Sequence, residues 1–129
     1  MKKILVIHTK YRNIGGEDIA VSNEIKILEK YYDVRTLYFS NKTINLIDDL
    51  ITFFTGKSQK SKKILEQTID DFQPDLVYVH NTWYKASTSI FSVLKERKIK
   101  TLLKVHNCRY NCTKYYSASK HLGDESECM

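Results

Sequence analysis

The chain is predicted to adopt an α/β fold in which a mostly parallel β-sheet lies between two layers of helices. Three observations lead to this prediction: short apolar runs alternate with amphipathic segments, the first run is uninterrupted over residues 4–7, and the 129 residues include one proline and four glycines. Uninterrupted apolar runs are typical of parallel strands buried on both faces, and helices join such strands by right-handed crossovers. A chain of this length is expected to form one domain over residues 1–129.

Four apolar runs are predicted to be strands, and they cover residues 4–7, 34–39, 76–79 and 101–105. The second run is less apolar than the first, which places it nearer to an edge of the sheet. Pro74 and Asp75 precede the third run and end the helix before it. The strands therefore alternate with segments long enough to be helices.

Three helices are predicted between these strands. The first follows Gly15 and Gly16, and its core-facing positions are Val21, Ile25, Leu28 and Tyr32. The second covers residues 64–72, with Ile64, Leu65, Ile69 and Phe72 facing inward, and the third covers residues 86–98, with Ile90, Phe91 and Leu94 facing inward. Residues 41–54 have apolar positions on one helical face but stay ambiguous, and residues 107–129 show no period and are predicted to be an irregular tail.

Three histidines fall at the predicted ends of strands. His8 ends the first strand, His80 and Asn81 follow the third, and His106 follows the fourth. Because open parallel sheets bind ligands beyond the carboxyl ends of their strands, these side chains are expected to share one edge of the sheet, and at least one of them is expected to belong to a ligand site. Each histidine taken alone would more often be a satisfied structural side chain.

The loop with Gly15 and Gly16 could let the backbone approach a phosphate or a sugar closely, or could be a tight turn that needs positive φ. Neither a dinucleotide-binding glycine pattern nor a P-loop is present. Glu17 and Asp18 suit the amino-terminal end of the helix dipole, but they would repel a phosphate there. Hydroxyl recognition or helix capping fits this loop better than phosphate binding.

The net charge of +6 allows an anionic partner. Lys57, Lys60, Lys62 and Lys63 follow the apolar segment, so residues 44–63 could contact a membrane surface, or could form a core helix followed by a solvated loop. Nucleic acid is not expected, because no aromatic platform is interleaved with the dispersed basic residues. No run approaches the roughly 20 apolar residues of a membrane span, and no signal peptide is visible, so a cytoplasmic location is expected.

The three cysteines all lie near the carboxyl end, at positions 108, 112 and 128. Cys108, Cys112 and Cys128 could be zinc ligands together with His106 or His121, but their spacing is only loosely finger-like and idle thiols are favoured. A zinc site built from the strand-end histidines is less favoured, because no carboxylate lies beside them at ligand spacing. No bound metal is predicted.

Three ordered segments are similar to a known family; they read KILVIHTKYRNIGGEDIAVSNEIKIL, QPDLVYVHNTWYKAS and KTLLKVHNCRYNCTKYY. Together they resemble the amino-terminal domain of the retaining family 4 glycosyltransferases of the GT-B fold, over almost the whole chain. The resemblance implies a Rossmann-like three-layer sandwich that forms the acceptor-binding half of the enzyme. It also implies transfer of a sugar from a nucleotide-sugar donor to a glycan or lipid-linked acceptor, with no metal or other cofactor.

The same resemblance implies roles for individual residues. Gly15 and Gly16 would lie near the donor diphosphate, and His106 would be the catalytic histidine that contacts the transferred sugar. The acceptor side would include Glu17, His80, Asn81, Trp83 and Arg109.

The chain departs from the family pattern after its last resembling segment. It ends at Met129 without a segment that resembles the carboxyl-terminal donor-binding domain. We therefore expect no appreciable transfer by this chain alone, since half a cleft cannot orient two substrates, and we expect its uncovered apolar surface to favour self-association. The alternative is a noncatalytic α/β binding module for an anionic ligand or a partner protein; a flavodoxin-like regulator is disfavoured because no flavin loop is present.

Overall fold

The computed structural model describes residues 1–10, 15–40, 58–82 and 86–105. In these ranges the strands are β1 Lys3–Lys10, β2 Asp33–Ser40, β3 Leu76–Asn81 and β4 Lys100–Leu103. The helices are α1 Gly16–Leu28, α2 Gln59–Phe72 and α3 Ser89–Glu96. All the strand pairs are parallel, so the predicted α/β class with a parallel sheet is confirmed, and the arrangement is Rossmann-like.

The strands lie side by side in the order β2-β1-β3-β4. β2 forms an edge of this described sheet, as its weaker apolar character predicts. The chain leaves β1 for β2 on one side and later returns to pair β3 on the other side of β1. The neighbouring strands β1 and β3 therefore form the topological switch point, where sheets of this kind leave a crevice at their carboxyl edge.

One layer of the sandwich is α1, which packs on the sheet through a small apolar cluster. Ile4 and Val6 of β1 contact Val21 and Ile25 of the helix, and all four are buried. Their spacing follows from the two secondary structures, since every second residue of a strand is on the same face of the sheet and residues four apart are on the same side of a helix. Tyr32 packs against this cluster as predicted, although α1 ends before it, at Leu28.

The other layer consists of α2 and α3, and it holds the larger apolar cluster. Leu5 and Ile7 of β1 are fully buried there. The rest of the cluster's buried side chains are Phe39, Leu65, Ile69, Phe72, Val77, Val79, Ala86, Ile90, Val93 and Leu94. The predicted inward positions of both helices are confirmed, with Ile64 and Phe91 half-buried at the margin. Helices therefore cover both faces of the sheet.

The ends of α2 and α3 differ from the predicted ends for local reasons. α2 begins at Gln59 rather than at residue 64, because the Ser58 side chain caps it by accepting a hydrogen bond from the Ser61 backbone N–H. α3 begins at Ser89 rather than at residue 86, because Ser87 has a positive φ of 61° that no α-helix accommodates. The segments 41–54 and 107–129 lie outside the described residues. In the described part of the chain, no helix is both long and apolar enough to cross a membrane.

Candidate functional site

Two of the predicted histidines meet at the carboxyl edge of the sheet, on either side of the switch point. The ring centroids of His8 on β1 and His80 on β3 lie 6.3 Å apart, edge to face, and both side chains are buried. Both lie inside their strands rather than beyond the ends, because β1 continues to Lys10 and β3 continues to Asn81. The predicted strand ends at His8 and at Val79 were therefore too early. His106 lies outside the described residues.

A bulge in β3 lies beside this pair of histidines. Ile7 pairs with Val79, but the next residue, His8, pairs with Asn81, so that His80 is the extra residue on β3. Bulges re-aim side chains and are rare in parallel pairs. Asn81 is itself buried, and its side-chain amide donates a hydrogen bond to the carbonyl oxygen of Thr9 at 3.4 Å. This contact joins the carboxyl ends of the two central strands.

The first turn of α1 is tied to His8 through Asp18. The Asp18 Oδ1 atom lies 2.9 Å from His8 Nε2, and its Oδ2 atom accepts a hydrogen bond of 2.9 Å from the backbone N–H of Gly15. Burial alone would raise the pKa of Asp18, but the Gly15 N–H and the His8 ring outweigh it and hold this pKa below its ordinary value of 3.8. Asp18 is therefore a carboxylate near neutral pH, and it already caps the helix end at which a phosphate would bind.

The backbone conformation at the start of α1 does not require glycine at positions 15 and 16. Gly15 has an extended backbone with a φ of −112°, so the positive-φ turn considered from the sequence is wrong for it. A Cβ at Gly15 would meet Asp18 Oδ2 at an ordinary 3.9 Å, and a Cβ at Gly16 would meet no described residue within 4 Å. Among the described residues, close packing therefore does not require a glycine at either position.

Glu17 also faces the histidine. Its Oε1 atom lies 3.9 Å from His8 Nδ1, beyond hydrogen-bond range. His8 is thus placed between two consecutive carboxylates of α1, one in direct contact with Nε2 and one separated from Nδ1 by a gap. Of the predicted acceptor-side residues, Glu17, His80 and Asn81 are brought to this edge, whereas Trp83 and Arg109 lie outside the described residues.

A second polar network lies next to His80 and centres on Glu24 of α1. Glu24 forms an ion pair with Lys104 just after β4, and it accepts a 2.8 Å hydrogen bond from the Tyr78 hydroxyl. His80 Nε2 lies 3.8 Å from the same carboxylate, and the Tyr78 and His80 rings are 4.2 Å apart. Burial opposes ionisation, but Lys104 and Tyr78 outweigh it and lower the pKa of Glu24, whereas burial and Glu24 raise the pKa of Tyr78.

On the side toward β2, the site is bordered by a cation at the end of β1 and an aromatic ring on β2. Lys10 Nζ lies 3.8 Å from the ring centroid of Tyr38, which is a cation–π contact. The Tyr38 ring in turn lies edge-on to His8, with a centroid distance of 6.4 Å. The buried imidazole of His8 therefore has four polar or aromatic neighbours, which are Glu17, Asp18, Tyr38 and His80.

Sequence reasoning named Asp18 at the helix end but not as the partner of His8, and it did not place Glu24, Tyr78, Lys104, Lys10 or Tyr38 at the site. A signal was present, because Asp18 and Glu24 lie three residues before and three residues after the core position Val21 on α1, and Tyr78 is two residues before His80 on β3. Residues with these spacings share a face with the core and extend it toward the carboxyl edge. The sequence interpretation did not consider which polar residues of α1 lie opposite which polar residues of the strands.

Several predictions about other ligands fall partly or wholly outside this region. Within the described ranges no group of three or more histidine, cysteine or acidic side chains could hold a metal ion. Cys108, Cys112, Cys128 and His121 lie outside those ranges. Of the segment 44–63 only residues 58–63 are described; they open α2, where Lys60 and Lys63 are exposed. The membrane contact therefore stays a prediction.

What the described site can do is set by its chemistry. It offers carboxylate and imidazole groups that can accept hydrogen bonds from hydroxyls, beside the glycine pair that opens α1. Comparison of the chain with family models, with curated proteins and with solved structures found no match in any of the three.

Proposed function

We propose that this chain is the acceptor-binding half of a retaining GT-B glycosyltransferase that moves a sugar from a nucleotide-sugar donor to a glycan or lipid-linked acceptor. One observation carries the proposal: the switch-point edge of the parallel sheet presents two buried histidines, each beside a partly exposed carboxylate, at the place where such sheets bind ligands. The resemblance of three sequence segments to the family gives this edge its proposed substrate.

Hydroxyl-rich ligands suit this edge better than phosphates do. Asp18 accepts from the Gly15 N–H, and Glu17 and Asp18 add two negative charges at the helix end, so a phosphate would be repelled there. A hydroxyl donates to a carboxylate in a charge-assisted hydrogen bond, which is stronger than a hydrogen bond between neutral groups. The acceptor sugar is therefore the proposed ligand of this edge, and the donor diphosphate would approach the loop with Gly15 and Gly16.

Binding without transfer is the expected behaviour of this half. Catalysis of a two-substrate reaction needs both reactants held in one geometry, and here the donor would be held by a separate donor-binding half. His106 is the proposed catalytic residue for that reaction, and Gly15, Gly16, Glu17, His80, Asn81, Trp83 and Arg109 are the proposed binding residues.

An NMR titration of the ¹⁵N-labelled chain tests the proposal. Methyl glycosides of glucose, galactose, mannose and N-acetylglucosamine are added in turn, together with UDP-glucose in a separate series. We expect at least one neutral glycoside to shift the backbone amide signals of Gly16–Asp18, Thr9 and Asn81 at millimolar concentration, with no turnover of UDP-glucose. Silence of these amides toward every glycoside would contradict the proposal, and so would turnover by the chain alone.

One further titration distinguishes the proposed glycosyltransferase half from the alternative, a noncatalytic module that binds an anionic ligand. Inorganic phosphate is added to the same labelled sample at matched ionic strength. If phosphate shifts the α1 amides and the neutral glycosides do not, the anion-binding module replaces the transferase half. The acidic first turn of α1 leads us to expect the opposite result.

A further inference from the structure

Two lysines lie at the carboxyl edge of the sheet on the side of α1, and their partners differ. Lys104 forms an ion pair with Glu24. Lys10 is the last residue of β1, is exposed, and forms no ion pair with any residue of the described ranges. Because no carboxylate of these ranges neutralises it, the Lys10 ammonium group can bind an anion that enters the site.

Tyr38 orients the Lys10 side chain toward this site. Nζ of Lys10 lies 3.8 Å from the centroid of the Tyr38 ring, which is itself 40% exposed. Tyr38 is the partner of His8 in the register of β1 and β2, so the ring and the ammonium group border the site on its β2 side. A long side chain loses conformational freedom when it binds a ligand, and a contact that already restricts it lowers that cost. Tyr38 is therefore a positioning residue for Lys10.

The contact with the ring leaves Lys10 able to bind a ligand. An ammonium group has three N–H donors and no acceptor. Its attraction to an exposed ring is weaker than a charge-assisted hydrogen bond to a carboxylate or phosphate oxygen. An oxyanion beside Tyr38 would therefore form a stronger contact with Lys10 than the ring does.

The charges of this edge are separated between its two sides. Glu17 and Asp18 make the α1 side negative, whereas Lys10 lies on the β2 side. Burial opposes the ionisation of Asp18, but the Gly15 N–H, His8 and Lys10 together lower its pKa, so the two opposite charges are near each other without forming an ion pair. A free phosphate is complementary only to the lysine, and a neutral sugar uses only the carboxylates. A sugar that carries an oxyanion as well as hydroxyls is complementary to both sides.

We propose that Lys10, held by Tyr38, binds an oxyanion of the acceptor sugar, so that the acceptor is an acidic sugar such as a uronic acid or a sugar phosphate. This inference rests on the proposed function and names its substrate class. The hydroxyls of the sugar face Asp18, and its carboxylate or phosphate oxygens accept hydrogen bonds from the Lys10 ammonium group. Lys10 is thereby a specificity-determining residue, because it distinguishes the acidic sugar from its neutral parent.

Substitutions at two exposed positions separate the charge from the ring that orients it. Lys10→Gln removes the charge and keeps a polar side chain, whereas Lys10→Arg keeps the charge. Tyr38→Leu removes the ring, and Tyr38→Phe keeps it. Lys26→Gln is the matched control, because Lys26 is also an exposed lysine but lies in the last turn of α1, at the other end of the helix from Asp18.

Calorimetric titration measures the affinity of each protein for matched pairs of ligands. The pairs are methyl glucoside with methyl glucuronide, methyl galactoside with methyl galacturonide, and each neutral glycoside with its 6-phosphate. We expect at least one acidic member to bind wild type about tenfold more tightly than its neutral parent at low salt, as one hydrogen bond between charged groups would give. Added sodium chloride should reduce this preference, because salt screens exposed charges. The pair with the larger preference identifies the oxyanion as a carboxylate or a phosphate.

The variants should divide according to charge and ring. Lys10→Gln should bind both members of the pair equally, and Tyr38→Leu should lose part of the preference for the acidic member. Lys10→Arg, Tyr38→Phe and Lys26→Gln should keep it. An undiminished preference in Tyr38→Leu would refute the positioning role of Tyr38.

The outcomes also separate this inference from the proposed function. If wild type binds a neutral glycoside and its acidic partners equally well, or if Lys10→Gln keeps the preference, the inference is overturned while the proposed function stands. Inorganic phosphate or pyrophosphate that binds as tightly as the sugar phosphate would also overturn it, because Lys10 would then bind a phosphate that the acceptor does not carry. If no glycoside binds wild type, whether neutral or acidic, both fall together.

Discussion

The two faces of the sheet use the same strands for different purposes. Fully buried apolar residues such as Leu5, Ile7, Leu65 and Val79 fill the layer between the sheet and the helices α2 and α3. The face toward α1 starts apolar at Ile4 and Val6 and then becomes polar. The difference shows that one face of the sheet mainly stabilises the fold, whereas the other changes from an apolar core to a candidate site between Val6 and His8.

This contrast has a simple origin in the strand period. Side chains alternate between faces, so β1 delivers Leu5 and Ile7 to one layer and Ile4, Val6 and then His8 to the other. A polar residue at an even position of β1 therefore changes only the α1 face. The acidic residues of α1 lie next to the polar end of this face, because Asp18 hydrogen-bonds to His8 and Glu24 approaches His80.

The largest effect on the free energy of unfolding is expected from a substitution in the apolar cluster between the sheet and the helices α2 and α3. Leu65 is fully buried in α2, so Leu65→Ala should lower the free energy of unfolding by about 2–5 kcal/mol through lost burial and a residual cavity. Ile27→Ala is the control, since Ile27 is 57% exposed on α1 and should change stability by less than about 0.5 kcal/mol. Urea unfolding followed by circular dichroism measures both variants, and equal losses would refute the assignment of the main core to this face.

The elements that the sequence predicts well are those whose pattern is set by local burial. Residues 4–7 are buried on both faces, and Val21 and Ile25 face the sheet, so apolar spacing alone placed the first strand and helix. The ends of elements were less predictable, because capping by Ser58 and the positive φ of Ser87 depend on contacts made in three dimensions. Ser58, for example, also contacts the Ser89 side chain, 31 residues away.

The candidate site was predictable only in part, for a related reason. The shared edge of His8 and His80 follows from the rule that parallel strands bring their carboxyl ends together. The carboxylate partners do not follow from it, because their identity depends on the rotation of α1 over the sheet and on a bulge at His80. Asp18, at first sight a helix cap, has both a capping contact and a contact with His8.

A medium effect is expected from the polar network around Glu24. Glu24→Gln should lower the free energy of unfolding by about 1–2 kcal/mol, because the ion pair with Lys104 is lost and only one acceptor oxygen remains. Tyr78→Phe should cost about 1 kcal/mol, since it removes the hydroxyl that donates to Glu24.

The double variant sharpens this prediction, because the two residues share one hydrogen bond. Glu24→Gln with Tyr78→Phe should cost about 0.5–1 kcal/mol less than the sum of the single changes. Asp70→Asn, which breaks the exposed pair with Arg97, should stay below about 1 kcal/mol. Strict additivity of Glu24→Gln and Tyr78→Phe in urea unfolding would mean that the hydrogen bond between them contributes nothing.

The smallest effect is expected from Asp18, and its sign depends on pH. Because the fold holds the pKa of Asp18 below 3.8, the folded state favours the carboxylate, and the unfolded chain binds the proton more readily. The stabilising contribution is therefore complete above about pH 5 and is lost as the pH falls through 3.8 toward the lower folded value.

Asp18→Asn should lower the free energy of unfolding by about 1 kcal/mol at neutral pH, since the charge near the amino-terminal end of α1 and the charge-assisted contact with His8 are lost. Urea unfolding of both proteins at several pH values measures the gap between them, which should narrow below about pH 4. A gap that stays constant or widens in acid would show that the folded state does not favour the carboxylate of Asp18.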